Sequence, residues 1–279
     1  MRRSWRRALV PLAGAGAALG GYSAFEAQWV EFHVVDVPIS GLPPELDGLR
    51  IAHVSDFHLG TFSQNVRTLG KAADWIATRR PDLVAITGDL VSRPSGRGEL
   101  DRFLRRLDVP FGVYAVLGNH DVEEARDPFS RPTDLSDLHA AGTVLLRDDE
   151  RSFEVNGVRV QVVGIDPVTY RAGSSRPAER ADADAAVRLL LSHYPHVVDL
   201  LPPGIFHLVL AGHLHGGQIC VPTPWGKVRL EHLWAPYWEG FFTRPGGALH
   251  VSRGLGTSFV PFRLLARPEA TELVLHKKR

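Results

Sequence analysis

Cysteine is nearly missing from this chain: 279 residues carry one, Cys220. A lone thiol excludes an intramolecular disulfide, a multi-cysteine zinc site and an iron–sulfur cluster, so any metal here must be held by His, Asp, Glu or Asn. Net charge is nearly missing too. Thirty-two Lys and Arg against 31 Asp and Glu leave +1 at pH 7, without the basic surplus or stripe of a nucleic-acid binder. No nucleic-acid partner is indicated. There is no internal repeat or heptad run, no G-x-S-x-G turn and no phosphate-binding lysine loop. Gly14-x-Gly16 follows no strand and is one residue out of register with Gly20 for a dinucleotide loop. What is present is the composition of an ordinary folded domain, 44% apolar and 23% charged.

Residues 1–27 stand apart. Arg2, Arg3, Arg6 and Arg7 precede 18 uncharged residues, Ala8 to Phe25, rich in Ala, Gly and Leu. This is the layout of an export signal or membrane anchor, at the short limit for a bilayer span. Arg6-Arg7 followed by Ala8-Leu9-Val10 resembles a twin-arginine export signal, with Trp5 where serine or threonine is usual. No A-x-A cleavage pattern lies near Ala24 to Ala27, which favours an uncleaved signal or anchor segment. Membrane association is expected, with the catalytic part on the extracytoplasmic side if the arginines stay inside. The alternative is the cytoplasmic face of the membrane. Residues 28–48, bearing Pro38, Pro43 and Pro44, read as a connector, and residues 49–279 as one domain with no dividing linker.

Within that domain strand and helix patterns alternate. Ile51 to Val54 is a short apolar run, and Ser63 to Arg80 carries Val66, Leu69, Ala73 and Ile76 at helical spacing before Pro81. Leu83 to Ile86, a helix marked by Leu100, Phe103, Leu104 and Leu107, and Val113 to Leu117 follow. This order favours a largely parallel sheet. In the second half Asn156-Gly157 separates Phe153 and Val155 from Val158, Val160 and Val162, a hairpin signal. Leu189 to Leu191, a short helix around His196 to Leu201, Phe206 to Leu210 and runs at 218–221, 249–252 and 272–275 complete the pattern. The fold class expected is α/β: two mixed sheets packed face to face with helices outside.

Each buried-looking strand ends in metal-capable residues. The ends are Ser55-Asp56-Phe57-His58, Thr87-Gly88-Asp89, Gly118-Asn119-His120-Asp121, Ser192-His193 and Gly212-His213-Leu214-His215. Carboxyl ends of strands are where ligands gather in α/β sheets. In extended backbone, residues i and i+2 share a side, so Asp56 with His58 and His213 with His215 can present paired donors. Gly88, Gly118, Gly212, Gly216 and Gly217 are expected to let backbone approach an ion or phosphate. Imidazole and oxygen without thiolate suits manganese, iron, zinc or nickel better than calcium or magnesium. Asp89, offering two oxygens, can bridge two ions. Two divalent ions, two carboxylates and a bridging hydroxide sum to about +1, which attracts an anion such as a phosphate ester, and such a hydroxide is a nucleophile at neutral pH.

In order and spacing, Asp56-x-His58, Gly88-Asp89, Gly118-Asn119-His120-Asp121, His193 and Gly212-His213-x-His215 resemble the five-motif signature of the calcineurin-like metallophosphoesterases. The resemblance runs from about Leu49 to the C-terminus. His213-Leu214-His215-Gly216-Gly217-Gln218, Val251 to Gly256 and Arg267-Pro268-Glu269 look like a bacterial branch with an N-terminal anchor or twin-arginine leader. That branch includes phosphodiesterases and pyrophosphatases acting on lipid-linked substrates such as UDP-2,3-diacylglucosamine.

The resemblance implies a four-layer α/β sandwich and two divalent metal ions, Mn, Zn or Fe. It assigns Asp56, His58 and His215 to one ion, Asn119, His193 and His213 to the other, and Asp89 to both. It makes His120 the residue that gives a proton or hydrogen bond to the departing oxygen, with Asp121 orienting its ring. Gln218 belongs to the resemblance without a physical role of its own. The activity implied is hydrolysis of a phosphodiester or pyrophosphate bond, on a lipid-linked phosphorylated substrate. Soluble phosphodiesters or phosphomonoesters are the alternative, and a non-catalytic metal-binding scaffold is a third reading. Trp225 to Phe242 concentrates six aromatics, either a rim for a lipid tail or a cluster beneath a loop. Arg244, Arg253 and Arg263 are candidates for phosphate contacts, with surface charge as the plainer reading. His33, His53, His139, His196, His207, His232, His250 and His276 lack the strand-end context and read as surface or satisfied core residues.

Overall fold

The computed structural model describes residues 2–122, 130–231 and 233–278, with backbone alone over 2–13. The chain opens with α1 (Arg2–Glu26) and β1 (Glu31–Ile39), then β2 (Arg50–Val54), α2 (Asn65–Arg79), β3 (Leu83–Thr87), α3 (Arg97–Leu104), β4 (Val113–Val116) and β5 (Thr143–Leu145). The second half holds β6 (Asp149–Val155), β7 (Val158–Gly164), α4 (Pro167–Arg171), β8 (Val187–Leu191), β9 (Leu208–Ala211), β10 (Cys220–Thr223), β11 (Gly226–Arg229), β12 (Gly240–Arg244), β13 (Gly247–Val251) and β14 (Glu269–Lys277).

Two six-stranded sheets form, in the orders β1-β14-β2-β3-β4-β5 and β12-β13-β9-β8-β7-β6, with β10 and β11 as a separate hairpin. The β2–β3–β4 and β7–β8–β9 pairings are parallel, while β14 runs antiparallel to β2 and β12 antiparallel to β13. This is the expected α/β architecture of two mixed sheets flanked by helices. The continuous apolar runs are explained by burial on both faces. Ile51, Leu83, Val116, Leu189 and Leu208 meet between the sheets, while Ala52, Val84 and Ile86 turn outward under Leu69, Ile76, Leu100 and Phe103 of α2 and α3. Leu190, Val209 and Val251 face outward from the second sheet beneath Val197, Val198 and Tyr237. Asn156 and Gly157, with φ of 51° and 81°, make the expected turn between β6 and β7.

Residues 31–39, read from the sequence as connector, are instead the edge strand β1, paired in parallel with β14 from Glu31↔Glu269 to Ile39↔Lys277. Val37 and Ile39 are buried while Phe32, Val34, Asp36 and Pro38 face solvent. A proline is tolerated there because an edge strand has a row of N–H groups outside the ladder. The leader is tied to the domain as well: Arg263 N–H donates to Ser23 O at 3.1 Å and Ala266 N–H to the buried Glu26 Oε1 at 2.8 Å. Among the described residues, no helix is long and apolar enough to cross a membrane.

The aromatic segment divides. Trp225 and Trp234 are 93% and 94% exposed, whereas Tyr237 is buried, its hydroxyl donating to Asp199 Oδ1 at 2.7 Å and its ring edge-on to Phe242. Lys227 and Arg229 lie over the Trp238 ring. Of the histidines set aside above, His53 and His250 are buried between the sheets with their Nδ1 atoms 2.8 Å apart, and His207 Nδ1 accepts the Arg188 N–H. His276 sits beside Asp36 and Asp47, His33 beside Arg253, and His196 against Tyr237. His139 is exposed. His232 lies outside the described residues.

Candidate metal centre

Loops leaving β2, β3, β4, β8 and β9 bring the sequence-predicted donors together. Asp56, His58, Asp89 and His215 offer ligand atoms within 4.8 Å of one another, and Asp89, His193 and His213 do the same. Asp89 is common to both groups. Its Oδ2 lies 3.4 Å from His58 Nε2 and 3.3 Å from His193 Nε2. On the first side His58 Nε2 and His215 Nε2 are 3.0 Å apart and His215 Nε2 is 3.5 Å from Asp56 Oδ1. On the second side His193 Nε2 is 3.1 Å from both Asn119 Oδ1 and His213 Nδ1.

The local backbone is not the extended one expected. β2 stops at Val54 and β9 at Ala211, and beyond them Asp56, His58, Asp89, His213 and His215 all have φ between 47° and 79°. Left-handed backbone is uncommon for residues with a Cβ, and such strain gathers at functional sites where the surroundings enforce it. Here the loops enforce it on one another. Asp56 N–H donates to Gly88 O and His58 N–H to Asp89 O, both at 2.9 Å. The Asp56 carboxylate accepts the His213 N–H at 3.1 Å, and Asp89 Oδ1 accepts the His120 N–H at 2.9 Å.

The glycines also serve differently from expectation. A Cβ on Gly212 would collide with the side chains of Ser55 and Asp56, and one on Gly118 with the Asp89 carboxylate. A Cβ on Gly88 would stand 2.7 Å from His193 Nδ1. These three make room for the candidate ligands themselves. Gly216 and Gly217 pack against the side chains of Arg253 and Arg229.

Burial sets the electrostatics. It holds His58 down at about 3 in spite of Asp89, and takes His215 well below the ordinary histidine range. Burial, then the charge of Asp89, lifts Asp56 to about 6, with His193 opposing. Asp89 is held well below the carboxylate range because His193 and His120 outweigh its burial, and in return Asp89 outweighs burial at His193 and raises it to about 9. Fully buried carboxylates are costly without a cation or donors beside them. A divalent ion compensates that cost, and neutral imidazole is the form that ligates.

The donor set therefore fits metal. Outer atoms fit too: His193 Nδ1 is 2.8 Å from Thr87 O and His58 Nδ1 3.0 Å from Ser92 Oγ, partners that fix a ligating ring. His215 differs, its Nδ1 facing Arg263 Nη2 at 3.3 Å.

His120 lines the same cleft, its ring 4.6 Å from that of His58. Its Nδ1 is paired with Ser130 Oγ at 2.7 Å. The expectation that Asp121 orients this ring is corrected. Asp121 Oδ1 accepts the N–H groups of Leu90 and Val91 at 2.8 and 2.9 Å, and Oδ2 accepts that of Gly118 at 2.8 Å. Its carboxylate is spent on loop backbone. Burial and then the charge of Asp89 push it up to about 7 against those three bonds.

The cleft encloses about 590 Å³, and Arg171, Tyr194, Glu231, Ser258 and Phe259 line it beside the motif residues. The sequence offered no signal for Phe259 or Ser130, and for Tyr194 only its place after His193. Arg263, a phosphate candidate from sequence, is instead fully buried, donating to Gly256 O at 3.1 Å and Ala266 O at 2.8 Å. Arg253 is ion-paired with Glu269 and Glu31, and Arg244 lies over Tyr237.

A two-sheet sandwich carrying a buried Asp/His cluster able to bind metal, open to a polar cleft, defines a metal-assisted hydrolase. Residues 49–217 match the family described as calcineurin-like phosphoesterase, and the chain belongs to that family of phosphoester hydrolases. It is 27% identical over 290 residues to the uncharacterized metallophosphoesterase YkuE of Bacillus subtilis, covering 98% of this chain and 97% of the relative. It is 30% identical over 236 residues to the B. subtilis protein YpbG, covering 83% and 81%. Against the UDP-2,3-diacylglucosamine pyrophosphatase LpxG of Chlamydia muridarum it is 27% identical over 278 residues, covering 80% and 82%.

Proposed function

We propose that this chain is a dimetal phosphoesterase cleaving a phosphodiester or pyrophosphate bond in a lipid-linked substrate of the UDP-2,3-diacylglucosamine kind. The observation that carries the dimetal reading is the Asp89 carboxylate, whose Oδ2 is nearly equidistant from His58 Nε2 and His193 Nε2, at 3.4 and 3.3 Å. In this reading Asp56, His58 and His215 hold one ion, Asn119, His193 and His213 hold the other, and Asp89 spans both. When bound, two divalent ions neutralise phosphoryl charge and supply a nucleophile from water at neutral pH.

The chain's own groups do the rest. His120, fixed through Nδ1 by Ser130, donates a proton from Nε2 to the leaving oxygen. The N–H that His120 gives to Asp89 holds this donor in register with the metal ligands. Arg171 lines the cleft with the charge to pair with a second phosphoryl group, as a pyrophosphate requires. Ser258 and Phe259 give the cleft its less polar wall.

Support for a lipid-linked substrate comes from the named activity of LpxG and from exposed apolar side chains. Leu19, Tyr22, Phe25, Trp29 and Phe32 follow one another from the end of α1 into β1 and are all exposed. Together with the leader arginines they suit a segment lying in the membrane interface, with the catalytic domain on the extracytoplasmic side. The test is elemental analysis of the purified chain combined with a substrate panel. We expect two equivalents of Mn, Zn or Fe, and faster turnover of UDP-2,3-diacylglucosamine than of a short soluble diphosphodiester. Equal turnover of the two would leave a broad soluble phosphodiesterase, and no turnover of any ester by the metal-loaded chain would leave a scaffold.

A further inference from the structure

Ser258 and Phe259 each border two hollows. On one side they close the cleft that holds the metal ligands, and on the other they join Phe62, Arg93, Val260 and Pro261 around a second cavity of about 260 Å³. Its walls are mainly apolar. The hydroxyls at its edge are engaged close by, Thr61 Oγ1 donating to His58 O at 3.0 Å and lying 3.1 Å from Ser63 Oγ. Phe62 is fully exposed and Phe259 half exposed, and large apolar side chains left open beside a cleft mark a binding surface.

Phe259 is held in place at a cost. Its φ is 54°, a backbone state rarely taken by an aromatic residue. The buried Gln218 enforces it from below. The Gln218 amide oxygen accepts the Ser258 N–H at 3.0 Å, and its amide nitrogen donates to Ser258 O at 2.8 Å and Val260 O at 3.2 Å. The backbone N–H of Gln218 in turn donates to His215 O at 3.0 Å. One side chain thus couples the loop bearing a candidate metal ligand to the loop presenting Phe259, whose ring stands edge-on to His120 at 6.3 Å.

We propose that the cavity walled by Phe62, Phe259, Val260 and Pro261 is a subsite for the alkyl chain of the substrate whose phosphoryl group lies in the adjoining cleft. Phe259 is the specificity-determining wall and Gln218 its positioning residue. The inference rests on the phosphoesterase reading above and adds to it the place and chemistry of the non-phosphate part. An alkyl occupant fits because the cavity shares a wall with the cleft and is mainly apolar, its hydroxyls and the Arg93 in its lining being engaged in contacts of their own, so a sugar-like group would lose much of its hydration without replacement.

The test uses the full chain loaded with manganese and unbranched alkylphosphonates from methyl to octyl, which carry a phosphoryl head and no ester bond to hydrolyse. Titration calorimetry is expected to give affinities rising roughly fourfold for each methylene that enters the cavity. Excess methylphosphonate should displace octylphosphonate. Phe62→Ser, at an exposed position where folding is not at risk, should flatten the dependence on chain length, and Gln218→Ala should flatten it with the apolar walls unchanged. Equal affinities for methyl- and octylphosphonate, octylphosphonate retained under saturating methylphosphonate, or a Phe62→Ser chain with the original dependence would each overturn the subsite. Failure of the phosphoesterase reading shows separately, as no hydrolysis of methyl p-nitrophenyl phosphate by the same preparation.

Discussion

Asp121 is bonded to the backbone of Leu90, 2.8 Å from Oδ1 to N. With its further bonds to Val91 and Gly118, this carboxylate ties the loop carrying Asp89 to the loop carrying Asn119 and His120. Asp121→Asn keeps the size but turns an NH₂ group toward at least one of the three donors. We expect a loss of about 2–3 kcal/mol of stability, the cost of an unsatisfied buried donor, read as a lower urea midpoint, together with weaker metal binding. A midpoint equal to that of the parent chain would remove this role.

His120→Gln should lower kcat by about a hundred- to ten-thousandfold while leaving metal content intact, since the ring is assigned to proton donation. The deficit should be larger for alkyl leaving groups than for p-nitrophenol, which departs without a proton. Ser130→Ala should show the same pattern in weaker form, because it loosens the ring through Nδ1. A deficit equal for both leaving groups would count against proton donation.

Gly118→Ala and Gly212→Ala place a methyl group against the carboxylates of Asp89 and Asp56. Neither glycine has a positive φ, so the clash is one of space alone. Both variants are expected to fold and to bind substoichiometric metal, measured by elemental analysis after dialysis. Full metal occupancy in either would show that the ligand loops shift without cost.

Stability should fall in mild acid. Burial lowers His250 to about 4 and His53 well below the usual histidine range, and His207 is lowered to about 4 for the same reason. The unfolded chain takes up these protons near pH 6.5, before the folded one does. The stability contributed by the neutral rings is therefore complete above about pH 6.5 and is lost as the pH falls toward 4. For His250 alone the displacement corresponds to about 3 kcal/mol. Urea midpoints between pH 7 and 4.5 should drop less steeply in a His53→Asn/His250→Asn double variant. An equally steep drop would locate the acid sensitivity in other groups.

How much was legible follows from the range of each interaction. The apolar runs ending at Val54, Ile86 and Leu210 announced strands buried on both faces, and the polar residues after them announced a common site. Asn156-Gly157 announced its turn. These are patterns of a few adjacent residues. The edge strand β1 was invisible because, among the described residues, its strand partner is β14, at the far end of the chain, and Pro38 and the charges of β1 read locally as connector. Gln218 carried no readable role because its partners, Ser258 and Val260, lie 40 and 42 residues away. The i, i+2 spacing of Asp56 with His58 and of His213 with His215 pointed to the right donors for the wrong reason, since the backbone there is left-handed.

By itself the sequence determined the alternation of strands and helices from Ile51 onward and the candidate donors at the strand ends, because both are written in short-range periodicity and in residue chemistry. Only the tertiary structure decided that the donor-bearing residues take left-handed backbone, that Asp121 serves loop backbone and not the His120 ring, and that Gln218 holds Phe259. Each of these depends on which loops the two sheets bring within hydrogen-bond reach. Sheet register sets that reach, and register is decided by packing between strands distant in the chain.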